Sequence, residues 1–140
     1  MEVKTRTLKS DLAHEVPKWE LGYLEVTVKE GKKLLTEAQY AHVVQLFEEL
    51  AYESDPTKSK TQDVRNIQEF YELRDKGGVL GNINLRVYFS ILTEKKRNMI
   101  LVLAVDKKED EAQAPQHIIT RVRHRLRIAK EIIEREKQKG

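Results

Sequence analysis

The sequence predicts an α+β domain in which an antiparallel sheet of about four strands is flanked by helices and followed by a long C-terminal helix. Two observations lead to this prediction. Three apolar segments with strand character follow one another between positions 67 and 105, with no helical pattern between them. Helical spacing of apolar residues occurs on both sides of these segments, before position 55 and after position 115.

The first strand is predicted around Leu24, Val26 and Val28, which alternate with more polar residues. This period of two is typical of a strand with one buried face. Gly31 ends the pattern. Residues 57–65 are polar throughout most of their length and are predicted to form a loop.

The remaining three strands are predicted to form a meander over residues 67–73, 85–92 and 99–105. The third of these segments is apolar throughout, as expected of an inner strand that is covered on both faces. Residues 75–84 contain three glycines and read as a flexible connection between antiparallel strands, because neither a Walker lysine nor a helix start follows them. Residues 94–98 are polar and predict a hairpin turn.

Two helices are predicted from their capping signals and apolar stripes. Thr36 and Gln39 have the spacing of a capping box and open the first helix, which Pro56 ends. Pro115 is suited to the first turn of the last helix. The apolar stripe of this last helix consists of Ile118, Ile119, Val122, Leu126, Ala129, Ile132 and Ile133.

Composition favours one soluble, intracellular domain. The chain has 140 residues, 39% of them apolar and 35% charged, with 26 basic against 23 acidic residues and no cysteine. The absence of cysteine excludes disulfides and Cys-ligated metal sites, and the longest apolar run, 99–105, is too short to span a bilayer. We expect a single domain, 1–140, with an extension over 1–20, a core over 21–135 and a frayed tail over 136–140.

Four cations lie near the ends of the predicted meander strands: Arg74, Arg86, Lys107 and Lys108. In an antiparallel meander these strand ends meet at one edge, so the cations are expected to converge within about 10–15 Å. Such a cluster favours an anionic ligand, and arginine suits phosphate oxygens in particular. The alternative is that these cations are solvated or paired with neighbouring acids, such as Glu72 and Asp110.

Catalytic signatures that stand alone are missing from the sequence. No G-x-S-x-G, H-E-x-x-H or paired metal-ligand spacing occurs, and the histidines are scattered along the chain. No metal or other cofactor is therefore expected. His42 lies off the apolar stripe of its helix and is interpreted as solvated.

The order of motifs resembles RelE/HigB-type toxins of bacterial toxin–antitoxin modules, and in particular their phage-derived HigB-like branch. The motifs are YELR (71–74), a glycine-bearing turn, LRVYF (85–89), MILVLAVDKK (99–108) and a proline, Pro115, before an amphipathic helix. The resemblance extends over roughly residues 34–127. It implies a compact RelE-like fold and ribosome-dependent cleavage of mRNA.

The resemblance also implies roles for particular residues. Basic side chains would hold the RNA backbone and stabilise charge on the scissile phosphate, while the RNA 2′-hydroxyl acts as nucleophile without a metal. His117 is the nearest match to the Tyr or His that supports proton transfer in the family, and Tyr88 is the second candidate. The resulting assignment is catalytic roles for Arg86, Lys108 and His117, and RNA binding by Arg74, Lys107 and Tyr88.

The implied partners are a cognate antitoxin protein and mRNA on the ribosome, in the cytoplasm and away from membranes. Residues 1–20 would hold the antitoxin, cover the site or form a partly ordered extension. Two other functions stay open. The same fold can serve as a non-catalytic module that binds gyrase or another partner or is a degenerate toxin, and the basic face of the last helix can dock on nucleic acid.

Overall fold

The computed structural model describes residues 2–6, 16–94, 97–108 and 113–139. Within these residues the chain has an α+β fold with six strands and three α-helices. The strands are β1 (Val3–Arg6), β2 (Glu20–Leu24), β3 (Asp63–Ile67), β4 (Phe70–Asp75), β5 (Asn84–Glu94) and β6 (Arg97–Lys108). The helices are α1 (Glu25–Leu34), α2 (Glu37–Leu50) and α3 (Gln116–Lys139).

The six strands form one mixed sheet in the order β1-β2-β6-β5-β4-β3. Only β2 and β6 run parallel, and every other neighbouring pair is antiparallel. The α+β class and the long C-terminal helix are confirmed, but the expectation of about four antiparallel strands is wrong. One additional strand, β1, comes from the N-terminal extension and pairs with β2 along the edge of the sheet.

The first predicted strand is also wrong. Leu24 is the last residue of β2, and Val26 and Val28 belong to α1. The apolar alternation suggested a strand, but the residues of α1 that are buried are Thr27 and Gly31, which lie four positions apart on one helix face. Tertiary contacts thus override the strand preference of this β-branched run.

Two hydrogen bonds hold α1 against the sheet, and one close contact holds it against α2. Thr27 Oγ1 donates a hydrogen bond to the carbonyl oxygen of Leu103 at 2.9 Å. At Gly31 an added Cβ would lie 3.0 Å from the Tyr40 ring, so glycine permits the close approach of α1 to α2. Glu30 accepts a hydrogen bond from the backbone N–H of Val105 at 2.8 Å, which adds a third link.

The second predicted strand, 67–73, proves to be two strands joined by a tight turn. Gln68 has a φ of 60° and reverses the chain between β3 and β4. The predicted loop over 57–65 is correspondingly too long, because its last three residues begin β3. With Val64 as its only apolar residue before Ile67, β3 carries little of the alternation that marks a strand.

The central hairpin and the glycine-containing connection are confirmed. Strands β5 and β6 pair antiparallel along their length, with an irregularity between Tyr88 and Phe89. The connection from β4 to β5 includes a short 3₁₀ turn, and Gly77 takes a φ of 82° that favours glycine. This connection places the ends of β4 and β5 side by side.

Each face of the sheet is covered by helices. On one face, Val87 and Phe89 pack in a cluster with α2, and Phe47 meets Phe89 edge-on. On the other face, Phe70 and Tyr88 pack in a cluster with α3. The buried residues of α3 follow the predicted stripe and are Ile118, Val122, Leu126, Ala129 and Ile133. The helix continues through Lys139.

The capping box of α2 is confirmed and provides a stability test. Thr36 Oγ1 accepts from the backbone N–H of Gln39, and Gln39 Oε1 accepts from the backbone N–H of Thr36. Replacing Thr36 with Ala removes one of these bonds and should lower the free energy of unfolding by about 1 kcal/mol in urea titrations. Thr36→Ser keeps the hydroxyl and should unfold like the wild type, whereas equal losses in both variants would contradict a capping role.

Candidate functional site

Four charged residues form a cross-strand row near one end of the sheet. Arg74 of β4 lies opposite Asp63 of β3 on one side and Arg86 of β5 on the other, and Arg86 in turn lies opposite Asp106 of β6. Residues directly opposite one another share a face of the sheet. The order across the strands is therefore acid, arginine, arginine, acid, which we term the charged row.

A buried carboxylate joins the two arginines of the charged row. Glu72 is completely buried and pairs with Arg74 through Nε and with Arg86 through Nη1, the latter at 3.4 Å. Arg86 is itself only 1% exposed, and the side chain of Arg74 is 12% exposed. Since an unpaired buried charge is strongly unfavourable, the shared Glu72 carboxylate helps two arginines to lie side by side here.

Tyr88 lies next to this ion pair and is also fully buried. Burial raises its pKa, and the negative charge of Glu72 raises it further. Its hydroxyl has no hydrogen-bond partner of good geometry in the described part of the chain. Tyr88 is therefore a neutral core residue packed edge-on against Phe70, and it does not present a surface for RNA as the sequence predicted.

A cleft of about 250 Å³ opens at the end of β4 and β5. Its basic lining residues are Arg65, Arg74, Lys76 and Arg86, and its acidic ones are Asp63 and Asp75. The lining thus has a formal excess of positive charge and suits an anion. Arg65 forms a two-pronged pair with Asp63, with both N···O distances 3.1 Å.

The two lysines at the end of β6 separate onto opposite faces. Lys108 lies opposite Asn84 and shares the face of the charged row, and its Nζ donates to the carbonyl oxygen of Gln113 at 3.0 Å. Lys107 lies opposite Leu85, whose side chain belongs to the cluster on the other face. The predicted convergence therefore holds for Arg74 and Arg86. Lys108 lies on their face of the sheet without lining the cleft, and Lys107 lies on the other face.

The remaining predicted residue, His117, is exposed in the first turn of α3 and is not among the residues that line the cleft. Of the two acids considered as partners for the cations, Glu72 has that role. Asp110 lies outside the described residues, as do residues 7–15 of the predicted extension.

A histidine–aspartate pair at the margin of the cleft was missed from the sequence. His42 Nε2 lies 2.7 Å from Asp75 Oδ2, with both side chains about one third exposed (32% and 29%). Asp75 also lines the cleft. The pairing depends on how α2 packs against the end of β4, and no local spacing in the sequence signals it.

Two further properties bear on the kind of site this is. In the part of the chain that the structure describes, no group of three or more His, Asp or Glu side chains is arranged to hold a metal ion. None of the described helices has the length and apolar character needed to cross a membrane.

Comparisons of the chain with protein-family models, with curated protein sequences and with solved structures found no match. Any function for the cleft must therefore be argued from its own geometry and from the motifs in the sequence.

The linking role of Glu72 can be measured directly. Glu72→Gln removes the charge that two buried or nearly buried arginines share, so we expect the free energy of unfolding to fall by about 3 kcal/mol. Glu69→Gln is the matched control, because Glu69 pairs with Arg123 at 2.8 Å where both side chains are over 40% exposed. Its expected effect is below about 1 kcal/mol. Similar unfolding curves for the two variants would show that Glu72 is not a structural link.

Proposed function

We propose that this chain is the toxin of a toxin–antitoxin module, with a RelE-like fold and a metal-independent, ribosome-dependent mRNA endoribonuclease activity. The observation that carries the proposal is the cationic cleft at the end of β4 and β5, where Arg74 and Arg86 lie in direct cross-strand register. The motifs that resemble the RelE/HigB toxins are the ones that supply this register. A guanidinium group binds phosphate oxygens well, and Arg74 is the partly exposed member of this pair.

Metal-free RNA cleavage requires mainly that the reacting groups are positioned and that the negative charge developing on the phosphate is stabilised. In RNA cleavage without a metal, the 2′-oxygen attacks the adjacent phosphorus, the 2′-hydroxyl loses its proton and the bond to the 5′-oxygen breaks. Negative charge grows on the non-bridging oxygens during this step, and preorganised cations lower its energy. The lining of the cleft provides cations held in place by neighbouring carboxylates.

The predicted residues differ in how far they are buried, and their proposed roles differ accordingly. Arg74, partly exposed, and Lys108, on the same face, are placed to meet an RNA phosphate. Arg86 is 1% exposed and acts through Glu72 as a positioning residue for Arg74. Proton transfer is assigned to His117, which is exposed in the first turn of α3 and is not among the residues that line the cleft.

The second candidate function is a non-catalytic binding module on the same fold, which would bind gyrase or another partner or represent a degenerate toxin. One observation favours it. Arg86 and Tyr88 are buried, so two of the residues expected to act on RNA are closed to it. Under this alternative the cleft binds an anionic partner but does not move a proton.

The proposed setting follows from the proposed activity. The substrate would be mRNA on the ribosome, so the protein would act in the cytoplasm, and a cognate antitoxin protein would be needed to restrain it. A neighbouring gene for a small helix-turn-helix protein would support this partner. Growth arrest on expression, relieved by that neighbour, is the corresponding cellular result.

Cleavage of an mRNA during cell-free translation tests the proposal. We expect wild-type protein to cut the translated mRNA, and Lys108→Gln and Arg74→Gln each to lower the rate by about 100-fold, since each removes a cation from the developing charge. Lys33→Gln is the control, because Lys33 is an exposed lysine of α1 and, unlike Lys108, does not lie opposite a residue that lines the cleft.

Binding measured in parallel separates the two candidate functions. Fluorescence anisotropy with a labelled RNA oligonucleotide should show weaker binding in Lys108→Gln than in Lys33→Gln. Salt-sensitive RNA binding without any cleavage would favour the binding module. Neither cleavage nor binding by correctly folded wild-type protein would overturn the ribonuclease proposal.

A further inference from the structure

A second, larger cleft of about 440 Å³ lies between the helices α1 and α2 and the strands β2 and β6. It shares no lining residue with the cleft at the end of β4 and β5. Its floor is apolar, and the aliphatic and aromatic side chains that form it include Leu21, Val43, Phe47, Val102 and Val105. Clefts of about 300–1,000 Å³ with such a lining are typical of small-molecule sites.

Cationic side chains surround this apolar floor. Lys4 and Arg6 are two residues apart on β1, so both point to the face of the sheet on which the cleft lies. Lys32 approaches from α1, with its Nζ 5.9 Å from the centre of the Tyr40 ring. Glu25 is the acidic residue of the lining, which leaves a formal excess of positive charge at the mouth.

The contacts of these cations leave charge available at the mouth. Arg6 pairs with Glu48 at 3.0 Å, outside the lining of the cleft. Lys4 is exposed and has no ion-pair partner among the described residues. The ring of Tyr40 faces Lys32 and attracts a cation without neutralising it. An anionic group at the mouth would therefore meet at least Lys4 and Lys32.

Tyr40 and Tyr23 add hydroxyl groups to the same cleft. Burial raises the pKa of Tyr40, and the neighbouring Tyr23 raises it further, while Arg6 lowers it. The Tyr40 hydroxyl therefore stays neutral at physiological pH and can donate a hydrogen bond to an anionic head group.

We propose that this cleft binds a small amphiphilic anion, with an aliphatic body on the apolar floor and a carboxylate at the Lys4, Arg6 and Lys32 mouth. A few convergent polar groups beside an apolar surface are the usual basis of such recognition. The volume fits a short-chain carboxylate, and the positive mouth selects its charge over a neutral molecule of the same length. This site is separate from the proposed ribonuclease cleft and does not depend on it.

Octanoate and octan-1-ol are suitable probes because they share their chain and differ in head-group charge. Titration of each into isotope-labelled full-length protein, followed by nuclear magnetic resonance, should show octanoate binding with shifts at the residues of this cleft. Octan-1-ol should bind at least tenfold more weakly. Affinity should rise about fourfold for each methylene group between hexanoate and octanoate, as expected when a chain is buried.

Three variants make the test specific. Lys32→Gln should weaken octanoate binding several-fold and leave octan-1-ol binding unchanged, since only the charged head group loses a contact. Lys33→Gln, the neighbouring exposed lysine outside the cleft, should bind like the wild type. Val28→Trp should fill the cleft and reduce binding of both probes, with folding checked by circular dichroism.

The proposal is overturned if folded wild-type protein binds octanoate no better than octan-1-ol. It is equally overturned if the two lysine variants behave alike, or if octanoate shifts only residues outside this cleft. Should Val28→Trp fail to fold, the lysine pair and the shift map decide the question without it.

Discussion

The buried carboxylate of Glu72 is the constraint on which this end of the molecule depends. It is fully buried, and a charge in that position is tolerated only when cations compensate it. Arg74 and Arg86 supply the compensating charges from neighbouring strands. The three side chains can pair only if β4 and β5 keep the register in which these arginines lie opposite each other. Any slip of one residue would turn one arginine to the opposite face and leave the carboxylate unsatisfied.

The same ion pairs reduce the positive charge that the arginines present to a ligand. One carboxylate is shared between two guanidinium groups, and Asp63 and Asp106 close the charged row at either side. Arg65, Arg74, Lys76 and Arg86 outnumber the lining acids Asp63 and Asp75 by two, but Glu72 and Asp106 beside them balance that excess. What the network supplies is rigidity, because a guanidinium held by a buried partner has few orientations left. Fixed cations are what charge stabilisation in a transition state requires.

The predictable parts of this structure are those in which local pattern and tertiary contacts agree. The capping box at Thr36, the apolar stripe of α3 and the β5–β6 hairpin each follow from short-range spacing. The meeting of Arg74 with Arg86 follows from strand order. By contrast, β1 and β3 have mostly exposed side chains, so their sequences show little of the apolar alternation that predicts a strand. The sequence prediction placed Lys107 with the other cations, but consecutive residues of β6 point to opposite faces of the sheet. The His42–Asp75 pair joins elements that are far apart in the chain.

The way in which α1 is attached to the sheet leaves room for the second cleft. The buried residues of this helix are Thr27 and Gly31, and neither contributes a large apolar side chain. Val26 and Leu34 pack against the two apolar clusters. Polar contacts add the hydrogen bond from Thr27 to Leu103 and the pairing of Glu30 with Arg125 of α3 through two N···O contacts of 3.0 Å. A helix attached in this way does not fill the space between itself, α2 and the sheet. Val28 and Val102, which are partly buried, therefore line a cleft whose mouth is formed by β1.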